Sequence, residues 1–159
     1  MESIKQIFRI GNGPSSSHTM GPKRAAEMFL VRNREVDSFR VTLYGSLAAT
    51  GRGHMTDVAI KSVLEPVAPL EIAWKPEVFL DFHPNGMLFE SLKADGSVIQ
   101  AWTVYSVGGG ALASDDLSDP QPEHVYGMST VSEIQQWCDK QGGSYWEYVQ
   151  QCEGDEIWD

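Results

Sequence analysis

Cysteine is scarce in this 159-residue chain: Cys138 and Cys152 are the only two. Their spacing matches no common zinc or redox motif. Two thiols cannot supply the four-cysteine ligation of a metal–sulfur cluster. Positive charge is scarce too, with 12 Lys and Arg against 22 Asp and Glu and a formal charge of −10. That balance argues against a nucleic-acid partner, which needs a surplus of cations to neutralise phosphates. Long apolar runs are missing, so no segment crosses a bilayer as a helix and no membrane partner is expected. The N-terminal "MESIKQIFRI" lacks the apolar stretch of a signal peptide. A cytoplasmic protein with free thiols is the expectation. HxH, HExxH and CxxC patterns are absent, as are internal repeats and low-complexity linkers.

What is present reads as an ordinary globular chain, 42% apolar and 21% charged. Its length suffices for one domain over residues 1–159 with a real core. The acids lie mostly in the second half, and "CEGDEIWD" reads as a solvated end. Ser3 with Gln6 suggests a capped short helix to about Phe8. Pro22 suits the first turn of a helix from about Gly21 to Arg32, with Ala25, Met28, Phe29 and Leu30 on its apolar face. Alternating Phe39, Val41 and Leu43 predict a strand over Ser38–Tyr44. "GSLAATGRGH" reads as a break, and Thr56 as the cap of a second long helix closed by Pro66 and Pro69. "EVFLDF" is a strand candidate ending in the turn His83-Pro84-Asn85-Gly86. Two strand-like runs flank Asp95-Gly96, a favoured hairpin turn. Gly108 to Gly110 interrupt the second run, and residues 111–128 read as a loop. Thr130 with Glu133 and Ser144 with Glu147 cap two late helices, the first ending at Gly142, with Cys138 on its core side. Without regular βαβ alternation, the fold class is α+β, a mostly antiparallel sheet with helices packed on it.

One stretch asks for more than a fold. "IGNGPSSSHTMGPKRAA" places Ser15, Ser16, Ser17, His18 and Thr19 just ahead of a helix. Such hydroxyls cap a helix start. They equally suit an anion, because unpaired N–H groups and the helix dipole lie beside them. Spacing leaves both readings open. His54 in "YGSLAATGRGHMTD" and His83 in "FHPNGM" keep similar glycine-rich company, with Asn85 two residues on. Three glycine-flanked histidines at element ends suggest a distributed site, since histidine titrates near neutral pH. Gly51 and Gly53 beside His54 suggest close backbone approach to a ligand. His124 in "PQPEHVYG" lacks this company and reads as surface.

The blocks "GPSSSHTMGPKRAA", "YGSLAATGRGHMTDVAI", "FHPNGM" and "YSVGGG" together resemble the β-chain domain of bacterial iron–sulfur L-serine dehydratase, also called L-serine ammonia-lyase. The resemblance runs from about Ile10 to Gly110, and the late helices and "EGDEIWD" look like the segment preceding that family's second domain. It implies deamination of L-serine to pyruvate and ammonia without pyridoxal phosphate. It implies a [4Fe–4S] cluster in a separate α domain, where an iron acts as Lewis acid on the serine hydroxyl. It also implies a fold similar to the allosteric substrate-binding domain of some D-3-phosphoglycerate dehydrogenases.

The implied α domain, with its cysteines, is outside this chain, which is expected to be a separate β subunit or the N-terminal part of a longer enzyme. On this resemblance His54, His83 and Asn85 are active-site residues. The Ser15, Ser16, Ser17, His18 and Thr19 stretch holds L-serine at the interface with the α domain. A homo-oligomer is expected. The chemistry agrees: removing an α-proton needs a base near neutrality, commonly histidine, and an amide such as Asn85 can orient a carboxylate. The alternative is a regulatory amino-acid-binding or dimerisation domain without catalytic groups. The gene sequence following Asp159 separates the two, through the presence or absence of cluster cysteines.

Overall fold

The computed structural model describes residues 3–6, 11, 13–114 and 124–158. Their contacts form two compact units, Ile10–Asp119 and Met1–Arg9 with Pro120–Asp159.

The larger unit is an α+β sandwich of one sheet and its helices. Helix α1 (Gly21–Arg32) and strand β1 (Ser38–Tyr44) fall where the capping and alternation signals place them. Helix α2 (Gly45–Thr50) follows β1 directly, and α3 (Thr56–Leu64) follows a turn. Strand β2 (Leu70–Lys75) is next, then β3 (Gly86–Leu92), β4 (Val98–Gly108) and the short β5 (Ala111–Ala113). The strand order is β2-β1-β3-β4-β5. All pairings are antiparallel except β1 with β2. The β3–β4 hairpin closes at Asp95-Gly96 as expected.

One sheet face buries Phe39, Val41, Leu43, Met87, Phe89, Trp102 and Val104 against Ala25, Ala26 and Phe29 of α1 and Ile60 and Leu64 of α3. The Phe29 ring lies 5.6 Å from Phe89 and 6.4 Å from Trp102, centroid to centroid. Each such side chain contributes roughly 1.5–3 kcal/mol by leaving water. Buried Asn33 closes α1 onto the sheet. Its Nδ2 donates to the Phe29 carbonyl at 3.0 Å, and its Oδ1 accepts from Ser91 Oγ at 2.8 Å. Out of step with the core residues, Arg40 and Glu90 are register partners and form a two-pronged ion pair at 2.7 and 3.0 Å.

Three expectations are corrected here. "GSLAAT" is helix α2 rather than a break. "EVFLDF" is not a strand: residues 78–85 form a loop whose carbonyls of Val78 and Pro84 accept from the N–H groups of Gly45 and Ser46 at 2.9 and 3.0 Å. Its apolar Phe79 and Phe82 are exposed, with Phe82 resting on Tyr105 at 4.8 Å between centroids. The segment after Gly110 contains β5 rather than loop alone. Strand β2 is an addition, made a sheet member by its parallel pairing with β1.

In the smaller unit, Ile4–Gln6 forms a single 3₁₀ turn, and Phe8 lies outside the described residues. Helices α4 (Val131–Gln141) and α5 (Tyr145–Glu153) both carry the expected capping boxes, and α4 ends at Gly142. They bury Ile134 and Tyr148 with Tyr126, and half-buried Trp137, Cys138 and Cys152 pack around these. Glu153 accepts from the Ile4 N–H at 2.8 Å and from the Ser3 hydroxyl. No helix among the described residues is long and apolar enough to cross a membrane.

Candidate active site

The polar stretch ahead of α1 is not a loop. Ser16–Met20 forms a π-helical turn running directly into α1. The helical run therefore begins one turn ahead of α1, at Ser16, with Ser15 as its cap, and α1 itself starts at Gly21-Pro22 as expected. Ser15 Oγ accepts from the His18 N–H at 3.2 Å, so this serine is a cap. Ser16 is exposed and Ser17 half-buried.

His18 is held at both ring nitrogens. Ser17 Oγ lies 2.9 Å from Nδ1, and Ser46 Oγ 3.4 Å from Nε2. His54 enters from the turn between α2 and α3, its ring centroid 4.9 Å from that of His18. Two buried threonines lock this meeting reciprocally. Thr19 Oγ1 donates to the His54 carbonyl at 2.8 Å, and Thr56 Oγ1 donates to the His18 carbonyl. Thr56 is thus not the cap of α3; that position is Met55, in the left-handed region at φ 59°. Thr19, expected on substrate, gives its hydroxyl to the protein.

The third histidine joins through backbone. Ser46, at the start of α2, donates its N–H to the Pro84 carbonyl at 3.0 Å. Gly45 next to it has φ +49°, and a Cβ there would lie 2.6 Å from the same carbonyl, so glycine permits this approach. His83 Nδ1 accepts from the Asn85 N–H at 3.1 Å, and Asn85 Nδ2 donates to the Ser106 carbonyl at 3.2 Å. Gly51 does not open His54 to a ligand: it is packed against the Leu47 carbonyl and the Trp74 ring.

These bonds set ring chemistry. A carbonyl only accepts, so His54 Nδ1, 3.0 Å from the Thr50 carbonyl, carries the hydrogen. In the neutral ring its Nε2 keeps a lone pair. His83 is the converse: Nδ1 accepts, and a neutral ring holds its hydrogen on Nε2. Burial, and next the nearby His54, push His18 below its ordinary pKa of 6.5; a hydrogen bond that its ring donates to the Ser46 backbone opposes them. His18 is accordingly uncharged at neutral pH.

Sequence reasoning missed Ser46 and Ser106. Each is a small residue inside a quoted block, and only the tertiary fold sets it against His18 or Asn85. His124 is exposed, as expected. Among the described residues no group of three or more His, Cys, Asp or Glu could hold a metal ion. Cys138 and Cys152 are free thiols in the smaller unit, and their number does not fit a four-thiolate cluster.

The family described as "Serine dehydratase beta chain" matches residues 3–75 and 68–117. The chain belongs to this family. Among similar curated proteins, the L-serine dehydratase of Mycobacterium tuberculosis (strain CDC 1551 / Oshkosh) is 33% identical, over 87% of this chain and 39% of that protein. The L-serine dehydratase of Streptomyces coelicolor is 36% identical, over 72% of this chain and 34% of its own length. L-serine dehydratase 2 of Escherichia coli (strain K12) is 31% identical, over 89% and 41%. The chain thus spans well under half the length of these relatives. All the residues of the histidine cluster fall within the matched segments.

Proposed function

We propose that this chain is the β domain of an L-serine ammonia-lyase and that its histidine cluster is half of an active site completed by an α domain. The observation that carries the proposal is the His18–His54 ring pair at 4.9 Å, built from two segments far apart in sequence and locked by buried hydroxyls. A surface histidine has no need of such a framework.

The reaction removes the α-proton and β-hydroxyl of L-serine as water; hydrolysis of the resulting enamine gives pyruvate and ammonia. His54 takes the α-proton on Nε2, the nitrogen its Thr50 bond leaves free. Uncharged His18 fixes the His54 ring without competing for that proton. His83 presents an Nε2–H donor toward the substrate, and Asn85 sets its orientation through the bond to Nδ1. Ser16 and Ser17 meet the carboxylate at the start of the turn, while Ser15 and Thr19 hold the turn itself. The [4Fe–4S] cluster that the sequence resemblance implies belongs, on this reading, to the α domain; the donor set of this chain does not fit it.

The test is pyruvate formation from L-serine by this chain combined with a reconstituted α domain. His54→Ala is expected to lower kcat by about 10²–10⁴-fold with folding intact. Turnover near that of the unaltered protein would remove His54 from the reaction.

A further inference from the structure

Strand β4 enters the cluster at Ser106, which is fully buried. Its backbone makes a two-bond ring with Asn85: the Ser106 N–H donates to the Asn85 carbonyl at 3.0 Å, and Asn85 Nδ2 returns to the Ser106 carbonyl at 3.2 Å. On its other side Ser106 meets the start of α1. A Cβ at Gly21 would run into Ser106 Oγ and lie 3.0 Å from Ser106 Cβ. The next atom, the Ser16 carbonyl oxygen, would be 3.6 Å away, an ordinary contact. One glycine–serine pair therefore sets how closely α1 approaches β4. Gly21 also closes the His18 turn, because its N–H donates to the Ser16 carbonyl. The Ser106 hydroxyl finds no hydrogen-bond partner among the described residues. A buried hydroxyl left unpaired does not serve stability, so its contribution is the space it fills.

We propose that the Gly21–Ser106 contact is a positioning device. It fixes where the His18 turn sits on the end of β4, and with it the meeting of His18 with His54; Ser106, tied to Asn85 through its backbone, is a positioning residue that does not itself touch substrate. Only its catalytic consequence rests on the lyase reading above. The geometry is tested without turnover.

In the full chain, the paired rings of His18 and His54 are close enough to give a proton–proton nuclear Overhauser effect. Gly21→Ala adds the colliding methyl and is expected to abolish that signal. The double variant Gly21→Ala/Ser106→Gly removes both Ser106 atoms nearest the added Cβ and is expected to restore it. A Gly21→Ala protein that keeps the signal overturns the proposal, as does a double variant that lacks it. If Gly21→Ala alone fails to fold, the double variant decides by the same criterion. In the complete enzyme, Gly21→Ala is expected to lower kcat by about 100-fold with little change in KM, as misplacement of a catalytic group by an ångström does. The double variant should recover most of that loss. If the ring signal behaves as expected while the assembled protein shows no turnover of L-serine, the positioning device stands and the lyase reading fails.

Discussion

His18 and His54 touch, yet their surroundings ask different things of them. His54 uses one nitrogen on the Thr50 carbonyl and leaves the other open. His18 has a serine hydroxyl at each nitrogen and lies deep enough that burial, then the nearby His54, lowers its pKa below 6.5. In the unfolded chain the same ring binds a proton at its ordinary value. As pH falls below about 6.5, the unfolded state therefore takes up the proton first and the native state is destabilised. The stability that neutral His18 preserves is complete above 6.5 and is lost as pH falls toward its folded pKa. Urea unfolding at pH 7.5 and 5.5 should show a larger loss for the unaltered protein than for His18→Asn. Equal losses would mean that His18 titrates normally. His18, His54 and His83 stand out in the sequence by their glycine-rich company. The groups that orient them do not, because Ser46, Thr56 and Ser106 acquire their partners only from the folded chain.

At the scale of elements, α1 is the part on which the larger unit depends most. Its Phe29 is almost fully buried among Phe39, Phe89 and Trp102. Phe29→Ala should lower unfolding free energy by about 3–5 kcal/mol, read by chemical denaturation. A cost under about 1 kcal/mol would show that the cavity collapses at little expense, which a close-packed interior does not allow. Strong local signals placed α1, β1, the Asp95-Gly96 hairpin and both capped late helices. Where local and tertiary preferences diverged, the sequence misled. "EVFLDF" has strand composition, but the carbonyls of Val78 within it and Pro84 after it bond to the start of α2, so it forms no ladder. "GSLAAT" has loop-like small residues, but Leu47 and Ala48 turn inward and the segment coils as helix. Strand β5 has three residues, too few to carry a pattern, and forms because β4 offers it an edge.

For the whole molecule, the family match to residue 117 and the larger unit ending at Asp119 nearly coincide. That unit has its own sheet, helices and core, as an independent domain requires. A shortened chain of residues 10–119 should therefore unfold in a single cooperative transition by calorimetry; a gradual loss of structure would show that it depends on the remainder. Its parallel pair also bears on what it costs to assemble the site. Antiparallel β3 and β4 join through a tight turn, whereas parallel β1 and β2 require the chain to cross over between them. His54 rides on that crossover, and its clasp with the His18 turn joins segments that are distant in sequence. Closing long loops costs more entropy and slows folding. The β3–β4 hairpin closes over a short turn, so bringing the two histidine segments together asks more chain entropy than that hairpin does, and the two buried threonine bonds are what hold them there.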